Sequence, residues 1–397
     1  MSLVNTPSGN RLHIGIFGKR NSGKSSLLNA ITGQEIALVS EVKGTTTDPV
    51  SKAMEIHPIG PCLLIDTAGF DDTGDLGNMR IEKTKAVLDK TDVAVVVFSD
   101  MQMELETQWI AMLRQRKIPI LAVVNQVDRI EQAQEIKRQI EQRFSLTPLL
   151  VSAKEKTGIS QMKHEILRLM PPDFEAQSLT GSLVQPEDVV LLVMPQDKQA
   201  PKGRLILPQV QTIRDLLDNH CVVMCVTTEQ LSTALQALAK PPKLIITDSQ
   251  AFAQVYPLKP AETLLTSFSI LLAAYKGDLS AFVKGANALD SLTDDSHVLI
   301  AEACTHAPLQ EDIGRVKIPN MLRKKYGEHL QVTVVSGSQF PKDLSEYQLI
   351  IHCGACMFNR KHVLTRVEQA EQQGVPITNY GVVLAKLTGI LDRISMQ

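Results

Sequence analysis

Short apolar runs alternate with longer stretches of helical periodicity from residue 11 to about residue 172. The runs are Leu12–Phe17, Cys62–Ile65, Val93–Phe98, Ile118–Val124 and Leu149–Val151. Helical stretches of ten or more residues lie between them. This rhythm predicts a parallel, doubly wound sheet built from βαβ units. Pro171 and Pro172 close it.

A second series follows. Asp188–Met194, Cys221–Val226 and Leu244–Thr247 read as strands, with Val210–Leu217 and Glu229–Ala239 as the helices between them. About eighty residues make a small domain whose apolar strands need cover, so a dimerisation role is expected. The third part opens on the apolar helical runs Ile270–Tyr275 and Phe282–Leu289. Strand-like runs come next at Val298–Glu302, Val332–Val335 and Tyr347–His352. The expected fold is thus α/β in three domains: residues 1–174, 183–265 and 266–397.

Composition changes this picture little. The 397 residues are 44% apolar and 21% charged, with a formal net charge of −2. Near neutrality argues against a nucleic-acid partner. No run is long enough for a membrane span, and the N-terminus lacks a signal peptide's apolar core, so a cytoplasmic protein is expected. Six cysteines in a chain this long do not make a disulfide scaffold. Cys62, Cys221 and Cys225 lie in apolar strands and read as core thiols. Trp109 reads as packing.

Candidate chemistry begins at Gly18-Lys19-Arg20-Asn21-Ser22-Gly23-Lys24-Ser25, between a strand and the helical run that starts at Ser26. This is the G-x-x-x-x-G-K-S pattern in its required context. Backbone N–H groups freed by the glycines cradle phosphate oxygens. Lys24 reaches the β- and γ-phosphates, and Ser25 offers its hydroxyl to Mg²⁺. Asp66-Thr67-Ala68-Gly69 ends a strand; Asp66 is expected to hold Mg²⁺ through water and Gly69 to sense the γ-phosphate. Asn125-Gln126-Val127-Asp128 ends another. The Asp128 carboxylate can accept from both guanine N1–H and N2–H₂, which adenine lacks. Ser152-Ala153-Lys154 follows as the loop expected behind the base, where the Ala153 N–H is expected to meet guanine O6. The four motifs in this order imply GTP and GDP as ligands.

Gly44-Thr45-Thr46-Thr47-Asp48 resembles the switch of TrmE-Era-Septin-like GTPases, with Thr47 in place of Arg. That alignment makes Thr46 the switch threonine on Mg²⁺. Asn21 matches the Asn that holds K⁺ in potassium-activated members, and Phe70 stands where Ras-like proteins carry a water-orienting Gln. A monovalent cation at the phosphates would do the work of an arginine finger, so K⁺-stimulated and slow turnover is expected.

The second constellation is Cys304-Thr305-His306 with His352-Cys353-Gly354-Ala355-Cys356, at strand ends. Pairs of soft ligands brought together by a fold suit zinc or an iron–sulfur cluster. Three cysteines and one histidine would close a zinc site. Three thiolates alone would leave one iron of a 4Fe–4S cluster with a replaceable ligand. A GTP-timed binding protein with structural zinc, and an electron-transfer protein with a closed cluster, are the competing readings.

The GTPase motifs joined to C-x-H…H-C-x-x-C resemble the HydF family of FeFe-hydrogenase maturation GTPases, over the whole chain. The resemblance implies a 4Fe–4S cluster on Cys304, Cys353 and Cys356, and a homodimer formed through the middle domain. It implies a scaffold and carrier that receives a transient diiron precursor and delivers it to apo FeFe-hydrogenase. Two radical-SAM hydrogenase maturases are the further partners it implies. His306 and His352 match the motif without being fixed as iron ligands. Asp197, in the loop after a middle-domain strand, is a candidate exchangeable oxygen ligand.

Overall fold

The computed structural model describes residues 6–33, 50–67, 86–172, 174, 178–195, 205–303, 312–337 and 339–396. The chain forms two compact units, Met1–Ala176 and Gln177–Gln397.

The first unit is built on a six-stranded sheet. Its strands are β1 (Leu12–Gly18), β2 (Val50–Ile56), β3 (Gly60–Asp66), β4 (Val93–Phe98), β5 (Ile120–Val124) and β6 (Leu149–Leu150). The order is β2-β3-β1-β4-β5-β6, parallel except that β2 runs antiparallel to β3. Every residue of β1 and β4 is buried, as strands covered on both faces require. One core, with Leu27, Ile31, Met162 and Ile166, fills one face; another, with Trp109, Ile110, Ile136 and Ile140, fills the other. Trp109 packs on Phe17 with ring centroids 5.0 Å apart. The antiparallel β2 has no counterpart in the sequence reading: Val-Ser-Lys-Ala-Met-Glu-Ile is strand only because β3 offers it a free edge.

The second unit holds two four-stranded sheets, each wholly parallel. One contains β7 (Val189–Val193), β8 (Val222–Val226), β9 (Leu244–Thr247) and β10 (Leu264–Ser267), in the order β10-β9-β7-β8. The other contains β11 (His297–Glu302), β12 (Gln331–Ser336), β13 (Leu349–His352) and β14 (Ile377–Asn379), in the order β12-β11-β13-β14. The sheets share a core in which Leu191, Ile245 and Leu265 of the first join Leu299, Ile300 and Ile350 of the second. β8 is an edge strand, so Cys225 is exposed while Cys221 is buried. The expectation that both are core thiols holds for Cys221 alone: the apolar run says strand but not which face lacks cover.

Candidate functional sites

The first site grows from the turn between β1 and the helix Lys24–Thr32. Asn21 and Gly23 both take left-handed backbone, at φ 62° and 83°. Gly23 has a second reason to lack a side chain, since a Cβ there would lie 2.4 Å from Asn125 Nδ2. That amide donates to the Ser22 carbonyl at 3.0 Å and to the Gly23 carbonyl at 3.4 Å. Asn125 Oδ1 accepts from Ala153 N–H at 3.3 Å. One fully buried amide from the end of β5 thus braces the phosphate loop on one side and the loop after β6 on the other. The Gln126 side chain, standing where the motif usually has Lys, donates to the Asn21 carbonyl at 2.9 Å. Asn21 itself is exposed.

Lys24 is buried, and its ammonium donates to the Gly18 carbonyl at 2.9 Å and the Lys19 carbonyl at 2.6 Å, at the loop the phosphates are expected to enter. Ser22 Oγ also donates to the Lys19 carbonyl, at 2.9 Å. Lys19 reaches away from the loop to Asp100 Oδ1 at 2.7 Å, a tether that loop spacing did not announce. Ser25 Oγ donates to Asp66 Oδ2 at 3.3 Å, while Asp66 Oδ1 is enclosed with no partner among the described residues. An unpaired buried carboxylate oxygen beside a serine hydroxyl suits a bound cation, so the residues fit Mg²⁺. Burial pushes the Asp66 carboxyl above its ordinary range, against the opposing pull of Lys24 and Ser25.

Asp128 is exposed, and its Oδ1 accepts from Ser152 Oγ at 2.6 Å, which holds its carboxyl below the usual range. Ser152 Oγ in turn accepts from Glu155 N–H at 3.0 Å. The carboxylate expected to select guanine is therefore oriented by the loop after β6. Ser26 and Lys154 are exposed. Thr46 and Gly69 lie outside the described residues.

The second site stands at the C-terminal ends of β11 and β13, the edge where open α/β sheets gather their ligand sites. Cys353 follows β13. Its Sγ accepts from Ala303 N–H at 3.0 Å and Ala355 N–H at 3.4 Å, and Ala355 takes left-handed backbone at φ 50°. Burial pushes the thiol up to about 11, against the lowering effect of these two donors. Lys276, at the end of the helix Phe268–Lys276, is 1% exposed. Its ammonium donates to the carbonyls of Ala355, Cys356 and Phe358 at 3.4, 3.1 and 2.7 Å. Burial lowers it to about 8, offset by the two thiols of Cys353 and Cys356. The turn is built so that negative charge on its sulfurs meets N–H dipoles and a cation. That environment fits thiolates bound to iron or zinc.

His352 is buried with both ring nitrogens engaged. Arg366 Nη1 approaches Nε2 at 2.9 Å, and a guanidinium only donates, so Nε2 accepts. The proton then sits on Nδ1, which donates to the Cys353 carbonyl at 2.8 Å. Burial and the Arg366 charge push the imidazole down to about 3. In this arrangement His352 orients the Cys353 turn; ligating a metal would require it to break one of the two bonds. Arg366 is held between the rings of Phe340 and Phe358, each centroid 4.8 Å from its guanidinium carbon. Neither Arg366 nor Lys276 was singled out from sequence. Lys276 could have been: it is a charge at the end of the apolar run Ile270–Tyr275. Cys304, His306 and Asp197 lie outside the described residues, and no group of three or more His, Cys, Asp or Glu side chains that could hold a metal occurs among those described.

Beside this turn stands a polar group. Arg315 donates Nε and Nη2 to Glu302 Oε2 at 3.0 and 2.9 Å, and Ser336 Oγ donates to the same oxygen at 3.2 Å. Burial, with the negative groups of Cys353, Glu302 and Asp312, raises the Tyr380 phenol well above its ordinary value.

Comparison with known proteins separates the chain into parts. Residues 280–396 match the hydrogen maturase F tetramerization domain, and residues 179–277 match the hydrogen maturase F dimerization domain. Residues 13–126 match the family of 50S ribosome-binding GTPases. GTPase Der of Wolinella succinogenes is 33% identical over 172 residues, covering 40% of this chain and 36% of that protein. The tRNA modification GTPase MnmE of Flavobacterium johnsoniae is 32% identical over 190 residues, covering 46% of this chain and 39% of that protein. The chain therefore spans well under half the length of these relatives. A crystal structure of Aquifex aeolicus Era is 19% identical over 54% of this chain and 92% of its own, with a TM-score of 0.36.

Proposed function

Because the chain belongs to the hydrogen maturase F family, with a P-loop GTPase domain ahead of two α/β sheets, we propose that it couples GTP hydrolysis to scaffolding for FeFe-hydrogenase maturation. Lys24 neutralises the β- and γ-phosphates. Ser25 and Thr46 hold Mg²⁺, with Asp66 behind them, and Gly69 reads the γ-phosphate. Asp128, aimed by Ser152, selects guanine. Asn21 holds K⁺ at the phosphates, which makes turnover slow in its absence.

Cys304, Cys353 and Cys356 hold a 4Fe–4S cluster, and such a cluster supplies an iron open to an exchangeable ligand. Asp197 and His306 remain the proposed exchangeable ligands of that iron or hydrogen-bonding partners of the cluster around it, while His352 positions the turn. The cargo is a diiron precursor, passed to apo FeFe-hydrogenase after the two radical-SAM hydrogenase maturases have acted. The proposed domains are 1–174, 183–265 and 266–397, in the cytoplasm, as a homodimer. Exposed Val210, Leu217 and Val222, on the helix Leu207–Asp218 and the edge strand β8, support the middle domain as the dimer contact.

The observation that carries the metal reading is Cys353 Sγ, with two backbone N–H donors, in a turn whose carbonyls hold a buried lysine. The test is anaerobic reconstitution of the full chain with iron and sulfide. Three to four irons per chain, and an S = 1/2 signal on reduction, are expected. Cys353→Ser and Cys356→Ser should lose the iron and keep GTP turnover. Stoichiometric zinc with no iron uptake would refute the cluster. Co-expression with the two maturases, followed by mixing with apo-hydrogenase, tests delivery: no gain of hydrogenase activity refutes the carrier role.

A further inference from the structure

The registers of the second parallel sheet align the ends of its strands. Glu302 pairs with Ser336 across β11 and β12, while His352 pairs with Ala301 on one side and Asn379 on the other. The next residues outward, Glu302, Cys353 and Tyr380, therefore stand side by side on one edge. Ala303 N–H closes on Cys353 Sγ at 3.0 Å, which keeps that edge tight.

Tyr380 opens the helix Tyr380–Leu387. Its ring is half-buried, but its hydroxyl is enclosed and has no partner among the described residues. A tyrosine hydroxyl in such a place normally finds a partner. The adjacent polar groups are already turned to one another. Glu302 Oε2 takes Arg315 and Ser336, and Asp312 Oδ1 takes the N–H groups of Gly314 and Arg315, both at 2.9 Å. Gly314 leaves the room the hydroxyl occupies: a Cβ there would fall 1.9 Å from Tyr380 Oη and 2.9 Å from Glu302 Oε1. An enclosed phenol hydroxyl with space kept for it, on the edge that carries Cys353 and with no hydrogen-bond partner among the described residues, is a donor open to an acceptor.

We propose that the Tyr380 hydroxyl donates a hydrogen bond to a sulfur of the iron–sulfur group held at Cys353, and so raises its reduction potential. This rests on the iron–sulfur reading above. A donor to cluster sulfur stabilises the reduced state, which carries one more negative charge, and hydrogen bonds to the sulfurs are among the factors that set the potential. A phenol keeps its proton at neutral pH, so the donor is always present.

The test is Tyr380→Phe in the full chain, which removes only the hydroxyl. Wild type and variant are reconstituted anaerobically and compared by iron content and by EPR-monitored redox titration. The variant should keep its iron. At a fixed poise its reduced-to-oxidised ratio should fall about tenfold, a midpoint about 59 mV more negative for a one-electron couple. Gly314→Ala, which keeps the hydroxyl but displaces it, should move the midpoint the same way. A variant with full iron and the wild-type midpoint overturns the proposal. So does loss of iron from Tyr380→Phe, which would make the hydroxyl a structural or ligating group. A wild type that takes up no iron instead sinks the iron–sulfur reading on which the proposal stands.

Discussion

Replacing Asn125 with alanine tests whether the phosphate loop is held in shape before nucleotide arrives. The side chain makes three hydrogen bonds, two from its amide to the Ser22 and Gly23 carbonyls and one to its oxygen from Ala153 N–H. Each neutral bond is worth about 1 kcal/mol net, so the bracing amounts to about 3 kcal/mol. The backbone it supports includes two left-handed positions, Asn21 and Gly23, which favour no single conformation once released. In Asn125→Ala, nucleotide binding must itself order the loop, and up to that amount moves from the fold into the binding constant. With tenfold in affinity for every 1.4 kcal/mol, GDP and GTP should bind roughly tenfold to a hundredfold more weakly. Isothermal titration calorimetry in Mg²⁺ buffer reads the affinity, and a thermal melt confirms that the first unit stays folded. A dissociation constant within threefold of wild type, in a folded variant, would refute the idea that this amide organises the site.

Other expectations follow from the same contacts. Asp128→Asn should weaken guanine nucleotides and let xanthine nucleotides compete, because an acceptor becomes a donor; unchanged GTP affinity in a competition assay would remove Asp128 from base recognition. Asp215 accepts from Leu179 and Thr180 N–H, at 2.7 and 2.9 Å, and from Thr180 Oγ1 at 2.6 Å, so Asp215→Ala should destabilise the second unit by about 2–4 kcal/mol in urea melts; a loss under 1 kcal/mol would show those groups find water instead. Lys276→Met should leave three carbonyls of the Cys353–Phe358 turn without their donor and lower iron retention against a chelator several-fold while GTP turnover is unchanged; equal iron loss from both proteins would make the lysine irrelevant to the turn. Val222→Lys puts a charge on the exposed edge strand β8 and should shift the chain toward monomer in sedimentation; an unchanged dimer would place the contact elsewhere.

Much of this protein was determined by local sequence. The buried strands β1 and β4 are continuous apolar runs, and the phosphate loop, Asp66, Asn125, Asp128 and Ser152 are legible because their spacing to a strand end is part of the chemistry. The Cys353–Cys356 turn is legible for the same reason: two thiols three residues apart need no distant partner to be seen. What the tertiary structure decided is what depends on residues far apart in the chain. β2 and β14 are strands only because neighbouring edges accept them, and Cys225 is exposed only because β8 has no strand beyond it. Lys276 meets the cysteine turn from 80 residues away, and Arg366 and the Cys353 carbonyl engage both ring nitrogens of His352, contacts that no local spacing announces. Tyr380 stands at the site because parallel register sets Asn379 beside His352. Hydrophobic periodicity and motif spacing encode which elements form. Which polar groups are buried together, and therefore which charges and lone pairs are already spent, is set by the packing of those elements, where desolvation makes each unmade hydrogen bond costly.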